Sequence, residues 1–125
     1  MQLTQILTSL GASVLIFSFI NTANGQIVTA NKSDEVILEM NQAFKKNDKA
    51  QLSRLLPKAK GHALESWAAY WELRARLDQA STAEIQEFLT TYAGTYAEDR
   101  LRNDWLLQLG RQRDWALIAQ EYPRS

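Results

Sequence analysis

The chain has 125 residues, enough for one domain. Its 14 basic and 14 acidic residues cancel, so nothing in the charge balance points to nucleic acid or an acidic substrate as partner. With no cysteine, a disulfide framework, a cysteine metal site, a thiol nucleophile and a lipid-modified cysteine are all excluded.

No charged side chain precedes Lys32. Ile6 to Ile20 is an apolar run, followed by the polar stretch Asn21 to Gln26. A spanning helix needs about 20 apolar residues, so this run is short for a permanent anchor and suits a signal-peptide core. Ala23 and Gly25 fit the small-x-small rule for cleavage after Gly25; Val28 and Ala30 offer a second site. An uncleaved anchor and a buried helix are the alternatives, because the n-region MQLTQ carries no Lys or Arg. Residues 1–25 are therefore read as a signal peptide and 33–123 as the folded region.

Beyond that segment the pattern is all-α. Ser33 is positioned to cap a helix through Val36, Ile37, Met40 and Phe44, with Asp34 and Glu35 in its first turn. Asn47 and Asp48 break it, and Asp48 with Gln51 opens a second helix that Pro57 interrupts. A third helix is expected from about His62 to Leu77, with Leu64, Trp67, Trp71 and Ala75 on one face and Tyr70, Leu73 and Leu77 on another. Glu65, Glu72 and Arg76 fall on the remaining, solvated strip. Ser81 with Glu84, and Thr95 with Glu98, read as capping boxes; Gly94 and Gly110 read as stops. Six helices with short connections result.

Leu52, Leu55, Leu56 and Ala59 sit at relative positions 0, 3, 4 and 7. Ile85, Phe88, Leu89 and Tyr92 repeat that spacing, as do Trp115, Ile118, Ala119 and Tyr122, at offsets of about 33 and 30 residues. A third helix with two apolar faces needs neighbours on both sides, which is what stacked helical hairpins require.

Few residues carry chemistry. Trp67, Trp71, Trp105 and Trp115 all lie on expected helix stripes and read as packing anchors between hairpins rather than sugar platforms. Glu84 with Glu87, and Glu98 with Asp99, fall in first turns, where the helix dipole accounts for them. His62 reads as a surface residue. Arg100, Arg102, Arg111 and Arg113 alternate with Asp99, Asp104 and Asp114. They read as interleaved ion pairs, with contact to the carboxylates of a glycan or peptide as the functional alternative. No cofactor or metal is implied.

The passage DRLRNDWLLQLGRQRDW, together with AAYWELRARLDQAS and EIQEFLTTYAGT, resembles the N-terminal superhelical region of the soluble lytic murein transglycosylases. The resemblance runs from roughly Val36 to Pro123. It implies a periplasmic protein whose stacked hairpins form part of an α-superhelix that embraces peptidoglycan glycan strands. It also implies that cleavage is performed by a C-terminal lysozyme-like domain missing from this chain, so that the scaffold is inactive alone and incomplete at its C-terminus. Glu65-Ser66 matches the family's catalytic pair in letters. The accompanying Gly-Leu-Met-Gln and Ala-Tyr-Asn motifs are absent, and Glu65 is not read as catalytic. No stable membrane span is expected after signal cleavage. The rival reading is a small periplasmic helical-repeat adaptor that binds another protein.

Overall fold

The computed structural model describes residues 32–124. The expected signal peptide and both cleavage positions lie outside the described residues. Those described form six α-helices and no strand: α1 (Lys32–Lys45), α2 (Lys49–Leu55), α3 (Glu65–Ala75), α4 (Thr82–Thr91), α5 (Tyr96–Gln112) and α6 (Trp115–Glu121). Short 3-10 turns follow α2 (Leu56–Ala59), α3 (Leu77–Gln79) and α6 (Tyr122–Arg124). Among the described residues no helix is long and apolar enough to cross a membrane.

The second helix of each pair starts on a side-chain cap. Asp48, Ser81 and Asp114 accept from the backbone N–H of Gln51, Glu84 and Leu117. Each cap offsets one of the unpaired donors of a first turn. The three caps are spaced by 33 residues each. That corrects the 33-and-30 spacing inferred from apolar stripes: in α6 the stripe starts three residues nearer the cap. Asn47 (φ 56°) and Arg113 (φ 61°), also 66 residues apart, both take the left-handed conformation before their caps. Gly61 and Gly94, again 33 apart, lie at φ 85° and 84°, where a Cβ would be strained. Each donates its N–H to a glutamate four residues on, Glu65 and Glu98, at 2.8 Å.

Several boundaries differ from expectation. Lys32 already belongs to α1, so Ser33 lies within the helix rather than ahead of it. α3 is shorter than His62 to Leu77, because Leu64 donates its N–H to the His62 ring and Arg76 (φ −120°, ψ 26°) breaks the helix at the other end. Gly110 is not a stop. The helix runs through it to Gln112, and Arg113 makes the left-handed turn, donating to Gly110 O while Asp114 donates to Leu109 O.

Two apolar clusters hold the hairpins together. Val36, Ile37, Met40 and Ala43 of α1 pack on Leu52, Leu55, Ala59 and Ala68. Tyr70, Leu73 and Leu77 pack on Ile85, Phe88 and Leu89 from α4, and on Ala97, Leu101, Trp105 and Leu109 from α5. Phe44, Leu56 and Trp71 touch both clusters, so the core is continuous from α1 to α5. Leu101, Trp105 and Leu109, at four-residue spacing, are all buried. Full burial of each such side chain contributes about 1.5–3 kcal/mol. The third hairpin is different. Of the expected α6 stripe, Trp115 (63% exposed) and Tyr122 (67%) face outward, so Trp115 is not a packing anchor.

Candidate functional site

The loop ahead of α3 is tied down before the helix begins. Leu64 N–H donates to His62 Nδ1 at 2.9 Å, which leaves Nε2 to donate to Asp34 Oδ1 at 2.6 Å. His62 is thus a bridge from this loop to α1, with its side chain only 12% exposed, and not the surface residue expected.

With α3 so held, Trp67, Tyr70, Trp71 and Arg74 recur at i, i+3, i+4 and i+7 and share one stripe. Across from it α5 carries Tyr96, Arg100 and Asp104 at four-residue steps. The two stripes meet in three rungs. The Trp67 and Tyr96 rings lie 5.7 Å apart. The Arg100 guanidinium stands 5.7 Å over the Tyr70 ring. Asp104 accepts from the Tyr70 hydroxyl at 2.6 Å and from Arg74 Nε at 3.1 Å. Toward α1, Trp67 contacts Trp71, which stacks on Phe44 at 6.3 Å. An aromatic row therefore runs Phe44–Trp71–Trp67–Tyr96 over three helices.

Exposure grades along this row. Tyr70 is buried; Phe44, Trp67 and Trp71 are half-buried; Tyr96 is 65% exposed. Burial, reinforced by the adjacent Asp104 carboxylate, pushes the Tyr70 phenol up to about 12. Tyr70 therefore stays a hydrogen-bond donor to Asp104 throughout the neutral range. Aromatic faces of this kind receive flat apolar ligand surfaces, and Arg100 and Arg74 at their margin supply hydrogen-bond donors.

Two ion triads fasten successive helices. Arg76 donates to Glu72 from Nε (2.5 Å) and Nη2 (2.9 Å), and also reaches Glu84 of α4; Ser53 of α2 donates to Glu72. Glu72 is buried, not on a solvated strip, because three helices converge on it. The Arg76 guanidinium holds the Glu84 carboxyl below its ordinary range, and Glu84 in turn raises Arg76 after Glu72. In the next hairpin Arg102 donates to Glu98 (2.8 Å) and to Glu121 of α6 (3.1 Å), and Gln86 of α4 donates to Glu121. Arg102, first among its partners, lowers the Glu98 carboxyl, with the Gly94 N–H second. A groove of about 440 Å³ lies over this triad, lined among others by Gln86, Thr90, Glu98 and Arg102.

The four arginines singled out in the sequence are thus separated. Arg100 stands on the aromatic surface. Arg102 is buried and paired with two carboxylates. Arg111 and Arg113 are exposed at the far end of α5. Glu65 accepts the Gly61 N–H, and its carboxylate adds to burial in raising the Tyr92 phenol. Among the described residues no group of three or more His, Asp or Glu is arranged to hold a metal. Tyr96, Asp104 and Arg74 were not read as site residues from the sequence; the i, i+4, i+8 spacing of Tyr96, Arg100 and Asp104 was the available signal. No family model matches the chain, and no curated protein or solved structure is significantly similar to it.

Proposed function

We propose that the chain is a glycan-binding scaffold, the N-terminal superhelical part of a periplasmic lytic transglycosylase acting on peptidoglycan. The observation that carries this reading is the Trp67–Tyr96 pair, which spans two successive hairpins and leaves Tyr96 exposed beside Arg100. A row of rings crossing from hairpin to hairpin suits an extended polymer better than a compact ligand. The 33-residue register of the caps supports an α-superhelix, since equal repeats stack with equal rotation. Export through the apolar run Ile6 to Ile20 would put the surface in the compartment where the polymer lies.

The test is retention on insoluble peptidoglycan. Tyr96→Ala, at an exposed position, leaves the helical circular dichroism unchanged and lowers retention about tenfold, the scale of one lost aromatic contact. Arg100→Ala lowers it further when combined. Unchanged retention of both variants would sink the glycan reading. The second reading, a helical-repeat adaptor for another protein, draws on a different observation, the outward-facing Trp115 and Leu107 of the third hairpin.

A further inference from the structure

The 33-residue register that relates Gly61 to Gly94 and Glu65 to Glu98 relates the whole of α3 to α5. Arg100 and Asp104, each 33 positions on, therefore occupy in α5 the places that Trp67 and Trp71 occupy in α3. Asp104 is already engaged, by the Tyr70 hydroxyl and by Arg74. Arg100 is not. Arg74, Arg76 and Arg102 each stand on a carboxylate, whereas among the described residues no acid lies within ion-pair distance of Arg100. Arg100 is exposed and rests instead on the Tyr70 ring, 5.7 Å from its centroid. A ring face holds a guanidinium without using its N–H donors, so their planar edge is positioned and open. Tyr70 supplies no counter-charge, because its phenol stays protonated through the neutral range. Two cations, Arg74 and Arg100, against the one anion Asp104 leave this surface a single net positive charge in a chain that is neutral as a whole. The exposed Tyr96 lies one helical turn before Arg100 on the same side of α5.

We propose that Arg100 is the carboxylate-binding position of the aromatic row, and that the polymer this surface selects is a glycan bearing acidic peptide substituents rather than an uncharged one. The inference rests on the glycan reading and adds to it the substituent that is recognised. Within one helix spacing, about 8–10 Å, the row changes from rings to a cation. A sugar face stacked on Trp67 and Tyr96 thus has a guanidinium at its margin. A neutral sugar brings only hydroxyls to that margin, and these gain little over the water they displace. A carboxylate meets the planar fork with two charge-assisted hydrogen bonds. Because the Tyr70 ring already holds the guanidinium in place, less side-chain freedom is lost when the ligand arrives.

The test compares retention of the full chain on insoluble peptidoglycan, on the same material with its carboxyl groups converted to amides, and on chitin, an uncharged glycan. Native peptidoglycan retains the chain about tenfold better than either uncharged polymer, the scale of one charge-assisted contact. Arg100→Gln, with helical circular dichroism unchanged, abolishes that preference. Arg111→Gln, at an exposed arginine on the far end of α5, keeps it. Tyr96→Ala weakens retention on all three polymers and leaves the preference in place. Equal retention of the wild-type chain on native and either uncharged material would overturn the carboxylate assignment while the glycan reading stands. A preference that survives Arg100→Gln, or is lost equally in Arg111→Gln, would overturn it too. No retention on any of the three would remove the glycan reading and this inference together.

Discussion

Glu98 and Glu121 share one guanidinium, that of Arg102, and all three side chains are at least four-fifths buried. Taking such charges out of water is costly, and the arrangement holds only while the cation is present. Arg102→Met should destabilise the chain by about 3 kcal/mol at neutral pH, because two largely buried carboxylates lose the cation between them. The pH dependence follows from Glu98, whose carboxyl is depressed in the folded state from an ordinary value near 4.5. A depressed carboxyl contributes stability above its unfolded value and loses it as the pH falls toward the folded one. The wild-type chain should therefore weaken as acid is added below about pH 4.5, whereas Arg102→Met, in which Glu98 has lost the guanidinium that is the first cause of its lowering, should lose most of that dependence. Denaturant midpoints of both proteins from neutral to acid pH check the difference; parallel curves would show that the triad does not couple to folding.

At the scale of the helix, the three caps are the units that set where each second helix begins. Asp48→Ala removes the acceptor for the Gln51 N–H, at 3.1 Å, and should cost about 1 kcal/mol in a denaturant melt. Asp48→Asn, which keeps an acceptor oxygen, should recover most of that. Asp48 and Ser81 were legible as caps because an Asp or Ser ahead of an apolar-periodic run has few other uses; Asp114 was not, since it lies among arginines and reads there as an ion-pair partner. The helix count and the buried stripe Leu101–Trp105–Leu109 were legible for the same local reason. What failed was each place where tertiary contact outweighed local preference. Gly110 has the residue type of a stop, yet α5 passes through it, and Arg113 takes the left-handed turn immediately ahead of the Asp114 cap. Glu72 looked solvated on its own helix, but Ser53 and Arg76 close over it from two sides. Trp115 sits on an apolar stripe of correct period, and periodicity alone does not say which stripe a neighbour covers. At the candidate site, Arg100 was picked out and Tyr96 was not, since the two acquire meaning only when α3 is laid beside α5.

For the molecule as a whole, the aromatic row and the third hairpin's outward side are both products of placing like helices in like register. The equal spacing of Asp48, Ser81 and Asp114 has a further consequence. Excising residues 49–81 joins Asp48 to Thr82, and the cap of the first hairpin then serves the helix of the second. Such a deletion should yield a shorter chain that still melts cooperatively, at a lower temperature, with unchanged helicity per residue by circular dichroism. A non-cooperative melt would mean that the hairpins are not interchangeable. If they are, the gene has a natural unit of change. Slippage or unequal exchange by 99 nucleotides adds or removes one hairpin without disturbing a cap, so chain length can vary in whole steps while each surviving junction stays as it was.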